Sequence, residues 1–191
     1  MKYQAVVIGA STGGFEAIQE ILIALPKNFA VPILIVQHIS PHSDDFMARH
    51  LNDICKLTVK EADEKEKVRS GYVYIAPPNY HLLIEKEQTL SLTVEKRVNY
   101  SRPSIDVLFD SAADAYGKEL IGVILTGANS DGSRGLKCIK EHGGTAIVQD
   151  PLSAEASAMP KAAIGITNVD FILALDKIGD KLIELIGDIN E

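Results

Sequence analysis

The chain has few cysteines, no excess of basic residues and no long apolar run. Each shortage closes off a class of protein. Cys55 and Cys138 form no C-x-x-C pair, so neither a disulfide framework nor a zinc site is implied. The net charge of −7 leaves no basic patch for nucleic acid, and the acidic balance reads as a solubility feature. No apolar run reaches the roughly 18–20 residues of a membrane span, so membrane insertion is not expected. Residues 1–10 lack the cationic start and small-residue cleavage site of a secretory signal, and a cytoplasmic location is expected. There is no internal repeat, low-complexity tract or linker. One domain over 1–191 is expected, large enough to bury a real core.

What is present reads as α/β. Residues 3–10 (YQAVVIGA) and 32–39 (PILIVQHI) are continuous apolar runs of the kind buried in parallel sheets. Between them Phe15, Ile18, Leu22 and Leu25 recur at helical spacing, and Pro26 ends that helix. Residues 43–55 predict a second helix, with Ser43 as cap and an acidic first turn. Residues 57–97 alternate short strands with polar turns and predict a β-hairpin-rich insertion. Helices follow over 103–117, with Pro103 in the first turn, and over 131–143, closed by Gly143. Strands over 119–127 and 144–150, a short helix over 154–164, a last strand over 168–175 and a terminal helix over 176–189 complete the pattern. The expected fold is a doubly wound, mostly parallel sheet with helices on both faces.

In such sheets ligands bind at the carboxyl ends of the strands. The first strand delivers Ser11, the second Gln37 and His38. The strand over 119–127 delivers Asn129, Ser130 and Asp131, and that over 144–150 delivers Gln149 and Asp150. Serine, histidine and aspartate are the parts of a nucleophile, a base and an orienting carboxylate. Gly9-Ala10-Ser11-Thr12-Gly13 fits the G-x-S-x-G elbow between strand and helix, with the Thr12 amide placed to hold an oxyanion. Each residue also has a plainer reading. Ser11 fits a tight turn, His38 a core histidine, and Asp131 the N-cap of the helix it precedes. His81, at the start of a hairpin strand, has no assigned role. A hydrogen bond between Ser11 Oγ and the His38 ring, somewhat looser before substrate binds, would mark a working pair. The α/β-hydrolase fold is not matched, because the elbow follows the first strand and the order is Ser, His, Asp. A dinucleotide site fits poorly: Phe15 replaces the third glycine, and no tyrosine is followed four residues later by lysine. No GxxxxGK[ST] occurs.

Six segments together resemble one family. IGASTGG, VQHISP, IAPPNYHLLIE, RPSIDVLFDSAA, GVILTGANSDGSRGL and QDPLSAEASAMPKAAI, spanning residues 8–164, are similar to the protein-glutamate methylesterase domain of bacterial chemotaxis, the CheB family. The resemblance implies hydrolysis of glutamate γ-methyl esters on the cytoplasmic helices of chemoreceptors, releasing methanol, with glutamine deamidation as a related activity. It puts the family triad on Ser11, His38 and Asp131 and uses neither metal nor organic cofactor. Where the family typically has T-G-M-G-x-D-G, residues 126–132 read TGANSDG, so the second oxyanion donor falls on the Ala128 amide and Asn129 stands at a glycine position. The family histidine is usually followed closely by proline, whereas Ile39 and Ser40 intervene here. The usual N-terminal receiver domain is not expected in 1–191, which makes a separate receiver or regulatory protein a candidate partner. Arg102 and Arg134 flank the expected site loops and are candidates for contacting an acidic receptor helix, with ordinary surface charge as their plainer reading. A competing class is a non-catalytic binding module of the same fold. The altered TGANSDG favours it, and the intact triad favours the enzyme.

Overall fold

A computed structural model describes residues 2–187. Seven strands form one parallel sheet in the order β3-β4-β2-β1-β7-β8-β9. The elements in chain order are β1 (Ala5–Ala10), α1 (Gly14–Ala24), β2 (Ile33–Gln37), α2 (Phe46–Ile54), β3 (Thr58–Glu61), β4 (Tyr72–Ile75), β5 (His81–Ile84), β6 (Leu90–Thr93), α3 (Ile105–Tyr116), β7 (Leu120–Ile124), α4 (Ser133–Glu141), β8 (Thr145–Gln149), α5 (Ala158–Ile166), β9 (Phe171–Leu173) and α6 (Leu175–Ile186). The end of the predicted terminal helix, 188–189, lies outside the described residues. Among the described residues no helix is long and apolar enough to cross a membrane.

The alternation of side chains along β1 explains the two-sided core. Val6, Ile8 and Ala10 face α1 and α6, while Ala5 and Val7 face α3, α4 and the β5–β6 hairpin. Every residue of β1, β2 and β7 is buried, as their uninterrupted apolar runs require. From β1 the chain passes to β2, lays β3 at the edge and inserts β4 between those two, then returns to lay β7 on the other side of β1. The crevice between the ends of β1 and β7 is therefore the switch point of the sheet.

Several local expectations are corrected. The hairpin-rich insertion is smaller than 57–97: β3 and β4 are parallel strands of the main sheet, and only β5 and β6 form an antiparallel hairpin. The polar alternation of β3 is that of an edge strand with one covered face, Val59 buried and Thr58 exposed. Helix α2 begins at Phe46, and the Phe46 amide donates to Asp44 Oδ1 at 3.2 Å; Ser43 is not its cap. Pro103 precedes α3 instead of opening it, because Ser104 is still extended. Asp131 is not the cap of α4. Gly132 takes that place with φ of 89°, and its left-handed turn frees the Asp131 side chain to point elsewhere.

It points to α3. Asp131 accepts from the Ile105 amide at 2.7 Å, the Asp106 amide at 3.2 Å and the Ser104 hydroxyl at 2.9 Å. Asp106, in the first turn of α3, reciprocates by accepting from the Gly135 amide of α4 at 2.7 Å. The Asn99 amide joins the pair, donating to both carboxylates at 2.8 Å. Two buried anions thus sit at the N-termini of each other's helices, where unpaired amides and the helix dipole offset their burial. Close approach of α3 to the sheet also needs Gly9, since a Cβ there would lie 2.3 Å from Ile105 Cγ2. Asp106→Ala strips the Gly135 amide of its acceptor and is expected to lower unfolding free energy by about 1–3 kcal/mol, measured by urea titration.

Candidate active site

The end of β1 is pinned from three directions. The Ser11 amide donates to Thr126 O at 2.9 Å, and the Ser11 carbonyl accepts from the Gly14 amide and from Gln37 Nε2, each at 2.8 Å. Gly13 follows with φ of 72°, turning the chain sharply into α1. A Cβ at Gly127 would come within 3.0 Å of Ser11 Cβ, so the loop after β7 lies directly against the serine. Among the described residues the amides of Thr12 and Ala128 have no acceptor. They are the free donors that an oxyanion needs.

His38 lies just beyond β2, its amide bonded to Ala10 O at 3.0 Å. Its ring Nε2 is 2.8 Å from Asp131 Oδ2, and the Asp131 side chain is fully buried. The neighbouring bonds settle where the ring proton sits. The Asp131 amide donates to Asn129 Oδ1 at 3.0 Å, which turns the Asn129 amide nitrogen toward His38 Nδ1 at 3.2 Å. That nitrogen can only donate, so Nδ1 is the acceptor and the neutral ring carries its proton on Nε2, facing the carboxylate. Nδ1 is left with the lone pair that a base needs. The hydroxyl of Ser11 makes no hydrogen bond among the described residues; the Ser11–His38 contact expected of a working pair is not formed, and Asn129 holds Nδ1 instead.

Of the predicted site residues, the structure joins His38 to Asp131 directly and sets Ser11, Thr12 and Ala128 at the same sheet edge. It gives the two arginines other partners. Arg102 donates to Asn79 Oδ1 at 3.2 and 2.8 Å and to the carbonyls of Val94 and Glu95 at 2.6 and 2.9 Å. Arg134 lies 3.6 Å from Asp106 and 3.7 Å from Asp110. Arg97, which sequence reasoning did not single out, is exposed and without an ion pair among the described residues. It lines a small cavity of about 100 Å³ with His38, Tyr100 and Arg102. Tyr100 is 96% exposed at φ of 63°, on the tip of the Val98–Ser101 turn. A larger cavity of about 340 Å³ opens at the opposite, amino end of the sheet by Tyr3, Pro32 and Tyr116, away from these groups. Asn99 was also missed; only its position between two carboxylates reveals it. Gln37 and Gln149 brace backbone, the latter accepting from the Thr126 amide at 2.9 Å. His81 is a satisfied core histidine, bonded to Lys96 O at 3.1 Å and the Ser104 amide at 3.2 Å. No group of three or more His, Cys, Asp or Glu among the described residues is placed to hold a metal ion.

Burial alone would raise the Asp131 carboxyl. The hydrogen bonds from His38, Asn99 and the Ile105 amide outweigh it and hold the pKa below its ordinary value of 3.8. A depressed folded-state pKa contributes stability above the unfolded value, which is lost as pH falls through the folded one. The difference in unfolding free energy between wild type and Asp131→Asn should therefore be full above pH 3.8 and narrow below it, as acid-range denaturation curves would register.

The comparisons with known proteins bear on the family of the chain. Residues 6–182 match the family model described as CheB methylesterase. A Leptospira interrogans relative, provisionally named a protein-glutamate methylesterase/protein-glutamine glutaminase, is 57% identical over 97% of this chain and 96% of its own length. The Thermotoga maritima protein of that name is 41% identical over 95% of this chain, which spans about half (54%) of that relative. The crystal structure of the Thermotoga maritima CheB methylesterase catalytic domain superposes with a TM-score of 0.92 at 40% identity, covering 96% of this chain and 98% of that one. An elbow at the switch point, a histidine–aspartate pair across from it and a match that runs nearly end to end place the chain in the CheB methylesterase family of hydrolases.

Proposed function

We propose that the chain hydrolyses glutamate γ-methyl esters on the cytoplasmic helices of chemoreceptors, and deamidates glutamines there, through Ser11, His38 and Asp131. The observation that carries this reading is the 2.8 Å His38–Asp131 pair, set at the same sheet edge as the serine on its glycine elbow. Ser11 Oγ attacks the ester carbonyl and passes its proton to His38 Nδ1. Asp131 holds the Nε2 proton and stabilises the imidazolium that forms. The tetrahedral oxyanion rests on the Thr12 and Ala128 amides. Collapse breaks the bond to the methoxy oxygen, which takes the Nδ1 proton and leaves as methanol; from glutamine the leaving group is ammonia. Water, deprotonated by His38, then cleaves the acyl-serine and returns a free glutamate carboxylate.

Arg97 is the cation for an acidic receptor helix on this reading, since Arg102 and Arg134 are already engaged. A receiver or regulatory protein is the further partner. A second reading is a binding module without turnover, favoured by the Asn129 contact at Nδ1. Methanol release separates the two.

Ser11→Ala is expected to cut methanol release from methylated receptor membranes by at least about 10³-fold, with its unfolding midpoint held near that of wild type. Retained release in the variant would remove Ser11 from the mechanism. Arg97→Glu is expected to lower kcat/KM for receptor most at low salt, with the deficit shrinking as salt screens it; a salt-independent loss would assign Arg97 another role.

A further inference from the structure

The lone pair that must receive the Ser11 proton is already in use. The Asp131 amide holds Asn129 Oδ1 at 3.0 Å, and this anchors the Asn129 amide nitrogen 3.2 Å from His38 Nδ1. On the far side of the ring Nε2 is held at 2.8 Å by Asp131. Both ring nitrogens thus have partners, while the nucleophile hydroxyl has none among the described residues. The Ala128 backbone between Gly127, which touches Ser11, and Asn129, which touches His38, puts one short loop in contact with both reactants.

We propose that Asn129 is a built-in brake on the His38 base: its amide occupies Nδ1 in the resting protein and must release it before Ser11 can be deprotonated. The inference rests on the reading of Ser11 and His38 given above. One neutral hydrogen bond is broken at Nδ1, and one from Ser11 Oγ replaces it. The exchange slows proton transfer by the equilibrium weight of the bond given up, about two- to tenfold. The other charged or titratable groups facing the ring are Asp131 at Nε2 and Arg97, Tyr100 and Arg102 across the small cavity, with Asp106 one step further through Asn99. Of these, only Asp131 is bonded to Asn129, through its amide.

The test compares the whole chain with Asn129→Gly and Asn129→Asp. The aspartate keeps an oxygen for the Asp131 amide but cannot donate to Nδ1, whereas the glycine removes both contacts. Ser11 reactivity is followed with a p-nitrophenyl alkylphosphonate, which needs no receptor, and the tautomer and Nδ1 hydrogen bond of the His38 ring are followed by nitrogen-15 NMR. In Asn129→Gly phosphonylation at neutral pH is expected to run about two- to tenfold faster than in wild type, and the His38 Nδ1 resonance to move toward that of a nitrogen with no donor on it. In Asn129→Asp a carboxylate faces Nδ1 and draws a proton onto it, so phosphonylation at neutral pH is expected to fall below wild type. A residue that only shapes the turn gives the opposite ranking, with the aspartate like wild type and the glycine impaired, and that ranking overturns the brake. If wild type reacts and the glycine variant is no faster, the brake alone falls. If no form reacts, the Ser11 reading falls first and takes the brake with it.

Discussion

The carboxylate of Asp131 is the contact on which the site and much of the fold depend. It is completely buried, and a buried anion is tolerable only when its oxygens are satisfied. Asn99, Ser104, the amides of Ile105 and Asp106, and the His38 ring satisfy them. Those donors come from the end of β2, the turn at 98–101 and the start of α3. One side chain therefore joins parts of the chain that approach each other only when the sheet is complete. Its electrostatic support is the N-terminus of α3, so the helix and the His38 ring are oriented by the same two oxygens. Asp106 repeats the arrangement toward α4, and Asn99 bridges the two carboxylates.

The architecture puts this contact at the switch point for a simple reason. β1 and β7 are neighbours whose connecting chains leave in different directions, which opens a crevice at their carboxyl ends. The crevice would fray without support, because strand ends leave backbone groups unpaired. Gln37 and Gln149 supply it with side-chain amides, one tying Ser11 and His38 to β2, the other tying Thr126 to β8. The elbow is thus held at both the amide and the carbonyl of Ser11 by hydrogen bonds.

Much of this was legible in the chain. Continuous β-branched runs identified the buried parallel strands, and the polar residues at their ends singled out Ser11, His38 and Asp131, on which the proposed mechanism rests. The misreadings came where local pattern and tertiary role part company. β3 alternates like a hairpin strand because one face of an edge strand is wet. Asp131 before Gly132 reads as a local cap, yet it caps a helix that begins 26 residues earlier in the chain. Arg102 and Arg134 looked available because a sequence does not show which carbonyls and carboxylates fold against a guanidinium. Asn99 and Arg97 stood in an unremarkable loop. Their importance comes from the two buried carboxylates and the histidine that other elements bring to them.

The division of labour within the site bears on what would survive if activity were lost. Asp131 holds α3 in place, and Gly13 makes a turn that the chain cannot avoid. Both would be kept by a lineage that had stopped turning over substrate, simply to keep folding. Among the described residues the hydroxyl of Ser11 makes no hydrogen bond: the serine is fastened by its main chain, and an alanine would keep those bonds. Of the three residues, the serine is the one whose side chain the architecture does not call for.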